Sequence, residues 1–150
     1  MTTHSGSTHI NIIQWAALAV RWALAISFLS AVADRFGVWG PPGAALVGWG
    51  DWQHFIVYTA KLNSFLPATL IQPAGVLATI LEIIFAVALI AGIFLRYTAY
   101  ASAMLLLLFA LTMTYALGIK APLNYSVFSA AAGAFLLGAV SDCKCSINFK

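Results

Sequence analysis

The chain has 150 residues, of which 63% are hydrophobic and only 7% are charged, and its formal net charge is +3. Soluble domains carry about 25% charged residues, and a fold of this size cannot bury so much apolar surface, which argues against a soluble domain. The basic residues form no run or stripe, which argues against a nucleic-acid partner. The composition instead predicts one integral membrane domain over residues 1–150.

Four stretches of the chain are long enough to cross a bilayer, which takes about 20 mostly apolar residues. No Lys or Arg precedes Arg21, so we interpret the first stretch as a retained helix and not as a signal peptide. The pattern predicts an all-α integral membrane protein, a bundle of four transmembrane helices. We place these helices at about 12–33, 74–95, 97–119 and 121–140, between a flexible tail over 1–11 and a second tail over 141–150.

The long link between the first two predicted helices contains a further helical pattern. Asp51 is well placed as an N-cap, and mostly apolar residues follow it at helical spacing: Trp52, Phe55, Ile56, Thr59, Leu62 and Leu66. This pattern predicts a short amphipathic helix over 51–66 that lies in the plane of the membrane interface. A segment that covers one end of the bundle is an alternative, and the two interpretations are compatible.

Two opposite charges, Arg21 and Glu82, lie near the middle of the first and second predicted transmembrane helices. A charge at the centre of a bilayer costs at least roughly 2.5–3.5 kcal/mol on insertion scales. Each shares its helix face with small residues, which indicates that both point into the bundle. We predict that they form an intramembrane polar site, paired directly or through a bound polar group. A pair that only fixes helix packing is the alternative.

Asp34 and Arg35 end the first predicted helix. They are either ordinary interface charges or the mouth of a polar path that leads to Arg21 and Glu82. No motif for a catalytic nucleophile, a phosphate loop or haem attachment is present, so we assign no catalytic residue.

Cys143 and Cys145 lie close together near the C-terminus, and His4 and His9 fall on the same predicted side of the membrane. Thiolate and imidazole groups are ligands for soft metals. The cysteines are not spaced as C-x-x-C, so we assign no metal site and keep Cys143 and Cys145 as the candidates.

Four transmembrane helices place both termini on one side of the membrane. The positive residues do not decide which side, because three fall on each: Arg96, Lys144 and Lys150 on the terminal side, and Arg35, Lys61 and Lys120 opposite. Free thiols at Cys143 and Cys145 suit a reducing compartment, which favours cytoplasmic termini.

These features resemble the DoxX family of small four-helix bacterial membrane proteins, whose namesakes are linked to quinol oxidase and to thiosulfate:quinone oxidoreductase. The resemblance covers about residues 15–140. It lies in Arg21, in the stretch from Glu82 to Arg96 with Leu89 and Gly92, and in the run Ala121-Pro122-Leu123-Asn124-Tyr125-Ser126.

The resemblance implies a multi-pass protein of the inner membrane, an accessory or quinone-facing subunit of a membrane redox system. Its Arg21 and Glu82 would hold a quinone headgroup or pass a proton. The implied partners are lipid, other subunits of such a system and further copies of the chain. A non-enzymatic membrane partner or assembly protein, with a purely structural Arg–Glu pair, is the alternative.

Overall fold

The computed structural model describes residues 5–142, with the side chains of residues 12–141. The described chain is helical apart from turns and loops, which confirms the predicted all-α class. Six helices follow one another: α1 (Ser5–Arg35), α2 (Trp52–Leu62), α3 (Ala68–Ala91), α4 (Leu95–Leu117), α5 (Lys120–Asn124) and α6 (Val127–Asp142).

Helices α1, α3, α4 and α6 form a closed ring in which each packs against two neighbours: α1 on α3 and α6, and α4 on α3 and α6. Ala25, Ala86, Ala99 and Ala134 contribute one fully buried methyl group from each of these helices. Side chains this small let backbones approach closely, which is the usual way that helices pack in lipid. The apolar core lies along this ring.

Glycines in the left-handed conformation end both α1 and α3. After α1, the N–H of Gly37 (φ 74) donates to the Asp34 carbonyl at 3.1 Å. The N–H of Val38 donates to the Ala33 carbonyl at 3.0 Å. This pair of bonds is a Schellman motif, which satisfies the last helical carbonyls and reverses the chain. Gly92 (φ 71) ends α3 in the same way and makes the turn into α4 very short.

Three helical segments are long and apolar enough to cross a membrane: Ile12–Arg35 within α1, Ala68–Ala91 and Leu95–Leu117. Many of their large apolar side chains face outward, as expected for contact with lipid. The length and apolar composition of these helices confirm the predictions of a membrane protein and of transmembrane helices. Helix α3 begins at Ala68, earlier than the predicted position 74, and continues through Pro73.

The fourth predicted transmembrane segment is not one continuous helix. It is divided into α5 and α6 at Ser126, which has a φ of 54°. The apolar part of α6, Val127–Ser141, is shorter than the roughly 20 residues that a straight crossing requires. The prediction of an unbroken helix over 121–140 is therefore wrong, and the count of four crossings stays a prediction.

Helix α2 begins at the predicted N-cap, where the Asp51 carboxylate accepts the His54 N–H at 2.8 Å. Its apolar side packs against α3 at the buried Gly75. A Cβ atom at Gly75 would lie 2.7 Å from Ile56 Cδ1, so a larger residue there would displace the Ile56 side chain. The helix thus covers the sides of α3 and α4. Its position relative to the membrane interface stays a prediction.

Candidate intramembrane polar site

The partner of Glu82 is Arg35, and not Arg21 as the sequence suggested. Arg35 Nη2 donates to Glu82 Oε1 at 2.8 Å, and Arg35 Nη1 lies 2.7 Å from Glu82 Oε2. Nη1 also donates to the hydroxyl of Thr79 at 2.6 Å. Arg35 and Glu82 are only 3% and 2% exposed, so this ion pair is removed from solvent.

The direction of helical side chains explains this choice of partner. Side chains lean toward the N-terminus of their own helix. Helices α1 and α3 run antiparallel, since Arg35 contacts Thr79 whereas Arg21 contacts the later residue Ile90. Arg35 at the end of α1 therefore leans into the bundle, and Glu82 leans toward it. Arg21 also leans toward the N-terminus of α1, which carries its guanidinium away from Glu82 and toward the C-terminal end of α3.

Arg21 binds the last turn of α3. Its Nη2 donates to the Ile90 carbonyl at 3.0 Å. Carbonyls in a final helical turn lack partners within the helix, and a cation there is favourable to the helix dipole. Gly92 leaves room for the guanidinium, because a Cβ atom at Gly92 would lie 3.3 Å from Arg21 Nη1. Arg21 is thus a capping group for α3.

Apolar side chains separate the two arginines. Leu24, Ala25 and Phe28 are buried between them on the same side of α1. Glu82 and Ile90 are eight residues apart on α3, roughly 12 Å along its axis. Arg35, which was proposed as part of the mouth of a polar path, is itself the partner of Glu82, and the predicted site containing both Arg21 and Glu82 is not formed.

Asp34 fastens the loop that precedes α2. Its Oδ2 accepts the N–H groups of Gly48 at 2.9 Å and Trp49 at 3.1 Å, and its Oδ1 accepts the Gly50 N–H at 3.4 Å. A Cβ atom at Gly48 would lie 2.7 Å from Asp34 Oδ2, so the close approach requires glycine. Asp34 therefore anchors this loop, and its position relative to the membrane interface stays a prediction.

The anchored loop brings aromatic rings onto Arg35. The guanidinium carbon of Arg35 lies 4.0 Å from the centre of the Phe55 ring and 5.3 Å from that of Trp49. The two rings meet edge to face, with centres 5.3 Å apart. Cation–π contacts of this kind strengthen when water is excluded. They enclose the ion pair on the side of the loop.

Two polar atoms of the ion pair lack a hydrogen bond. Glu82 Oε2 is close to Arg35 Nη1 but receives no aligned N–H from it, and Arg35 Nε has no acceptor. Buried polar atoms in native proteins are nearly always hydrogen-bonded. The described side chains therefore leave part of the hydrogen-bonding capacity of Glu82 Oε2 and Arg35 Nε unused, as they also do at Arg21 Nε.

The cysteine and histidine candidates fall mostly outside the described residues. Cys143, Cys145 and His4 lie beyond them, and the side chain of His9 is not described. Among the described side chains, no group of three or more His, Cys, Asp or Glu residues comes together.

Thr79, Trp49 and Phe55 were not among the candidate site residues predicted from the sequence. Thr79 was recognisable, because it lies one turn before Glu82 on the same face of the helix. Trp49 and Phe55 reach Arg35 only through the fold of the loop, which no local pattern encodes.

Comparison of the chain with protein-family models, curated proteins and solved structures finds no match. The geometry of the site is therefore the basis for its proposed role.

Proposed function

We propose that this chain is a DoxX-like protein of the bacterial inner membrane that serves a membrane redox system as an accessory or quinone-facing subunit. In this proposal Arg35 and Glu82 replace the expected pair Arg21 and Glu82 as the polar site. One observation supports it above all: buried Glu82 Oε2 and Arg35 Nε lack hydrogen-bond partners beside two aromatic rings.

The chemistry of a quinone headgroup suits these atoms. A quinone oxygen accepts a hydrogen bond, which Arg35 Nε can donate, and a reduced headgroup carries a hydroxyl that can donate to Glu82. Trp49 and Phe55 provide the apolar and aromatic surroundings that a conjugated ring favours. Ligand sites in general combine such surfaces with a few polar groups that fix orientation.

The proposal includes four crossings and cytoplasmic termini. Helices α5 and α6 together extend from Lys120 to Asp142 and would make the fourth crossing as a broken helix. Such a break is tolerated in membranes where the backbone is buried in protein. Pro122 is fully buried, but residues 123–126 at the break itself are exposed, so this crossing would need a neighbouring molecule or water at the break.

Quinone binding to the purified protein in lipid nanodiscs tests the proposal. Glu82→Gln keeps the shape of the side chain and removes its charge. We expect the Kd of this variant for a short-chain quinone to be at least tenfold higher, which corresponds to a loss of about 1.4 kcal/mol of binding free energy. Arg21→Met is the matched control, since it also removes a charge within the bundle but leaves the site intact. Equal affinity in wild type and Glu82→Gln would contradict the proposal.

The alternative is a non-enzymatic membrane partner or assembly protein in which the ion pair is structural. It is favoured by the way that Arg35 joins α1 to α3 while Asp34 joins α1 to the loop. A charge-free double variant, Arg35→Met with Glu82→Leu, separates the two functions, because apolar replacements of a buried pair are often tolerated. If this variant folds and still supports quinone-dependent respiration in membranes, the structural role is correct.

A further inference from the structure

The segment 36–47, called the return loop below, is the most exposed apolar part of the first link. It contains no charged residue and no histidine. Its large side chains are open to the surroundings: Phe36, Val38 and Trp39 are each at least 60% exposed, and Leu46 is fully exposed. An uncharged segment with several large, exposed apolar side chains is a candidate for contact with a membrane or with another protein.

Trp39 shows where the return loop lies. Its indole Nε1 donates to the Ser30 carbonyl at 3.1 Å. Ser30 belongs to the candidate membrane span Ile12–Arg35 and precedes its last residue by five positions, roughly 7.5 Å along the helix. The loop therefore folds back beside the outer surface of α1, at a depth within the span.

Helix α2 differs from the return loop in its surface. Its apolar residues Phe55 and Ile56 pack against Gly75 of α3. Apart from Val57, its exposed side chains are polar: Gln53, His54 and Lys61. The return loop thus carries more uncovered apolar surface than α2.

We propose that the return loop inserts into the boundary between lipid headgroups and acyl chains beside α1. Three observations favour lipid as its partner: the absence of charge, the continuity with the outer surface of a membrane-spanning helix, and the position of Trp39. A tryptophan ring is apolar with one N–H donor, and this combination places it preferentially at the membrane interface. The fully exposed side chain of Leu46 then lies among the acyl chains.

Spin labels on single cysteines test this placement in the full chain. Cys143 and Cys145 are replaced by serine, and a label is attached at Leu46→Cys or Val38→Cys in phosphatidylcholine–phosphatidylglycerol vesicles. Gln53→Cys on α2 is the matched control, because its side chain is exposed but lies on a polar surface. These exposed positions make few contacts, so the fold is retained.

We expect labels at positions 38 and 46 to collide with oxygen several-fold more often than with a water-soluble nickel chelate, and the ratio to reverse at position 53. Equal accessibility to the nickel chelate at all three positions would overturn the proposal. Protection of positions 38 and 46 from both reagents would indicate a protein neighbour and would overturn it as well.

Discussion

Arg21 and Arg35 lie on one side of α1, yet they have different partners. Arg35 is buried and binds a carboxylate, a hydroxyl and two aromatic rings. Arg21 is half-buried, and its guanidinium donates to a backbone carbonyl of α3. The difference follows from where each residue meets α3: Arg35 reaches its middle and Arg21 reaches its end. The binding partner of a charged residue on α1 thus depends on which part of α3 it faces.

The largest effect is expected at the ion pair. Glu82→Ala leaves Arg35 buried without a counter-charge, and removal of one partner of a buried pair costs about 3–5 kcal/mol. Unfolding in a titration with sodium dodecyl sulfate, followed by circular dichroism, measures this loss of free energy of unfolding.

The double variant Arg35→Met with Glu82→Leu is the control for the ion pair. It should recover most of the loss, because no uncompensated charge remains. A loss below about 1 kcal/mol for Glu82→Ala would show that the carboxylate is solvated.

A smaller effect is expected at the anchor of the loop. Asp34→Ala removes the acceptor of three backbone N–H groups and should lower the free energy of unfolding by about 2 kcal/mol. Asp34→Asn keeps one carbonyl oxygen, so it should lose about half as much. If Asp34→Ala matches wild type in the same titration, the loop is held by other contacts.

Arg21 comes next in the order of effects. Arg21→Met keeps an unbranched apolar stem but loses the guanidinium and its bond to the Ile90 carbonyl, at an expected cost of about 1 kcal/mol. Arg21→Lys keeps a cation near the end of α3 and should restore part of the loss. A loss as large as that of Glu82→Ala would indicate that Arg21 does share the site of Glu82, and would contradict the distinction between the two arginines.

The smallest effect concerns Asp51, outside the membrane spans. The backbone N–H and the side chain of His54 donate to its carboxylate and hold its pKa below the usual value of 3.8. A lowered pKa stabilises the fold above pH 3.8, and the contribution is lost as the pH falls through the folded-state value. The thermal midpoint of wild type should therefore approach that of Asp51→Asn as the pH is lowered from about 5 to about 2. Parallel curves for the two proteins would contradict this assignment.

The long helices could be predicted because an uninterrupted apolar stretch of about 20 residues has few alternatives. The break at Ser126 could not, since no glycine or proline occupies that position. Glu82 was correctly predicted to point inward. Its partner was missed because Arg35 was interpreted as a charge at the end of the first helix, whereas its long side chain leans back along α1 to the level of Glu82.

The contacts between the loop and the site could not be predicted from local sequence patterns, for a different reason. Asp34 and Gly48 lie 14 positions apart, and their contact depends on how the chain turns back between them. No periodicity links Asp34 to Gly48 or Trp49 to Arg35. The sequence did contain a usable clue, since Gly48 and Gly50 flank Trp49 and allow its backbone to approach a carboxylate.

The position of Arg35 at the last residue of α1 also bears on biosynthesis. A long cationic side chain at a helix end can extend to the headgroup region, so α1 can enter the bilayer before its partner is made. Glu82 lacks this option, because it lies roughly 21 Å from the first residue of α3. The chain is synthesised from its N-terminus, so Arg35 is already in place to pair with Glu82 when α3 enters the bilayer. The earlier helix thus provides a counter-charge that lowers the cost of inserting Glu82 with the later helix.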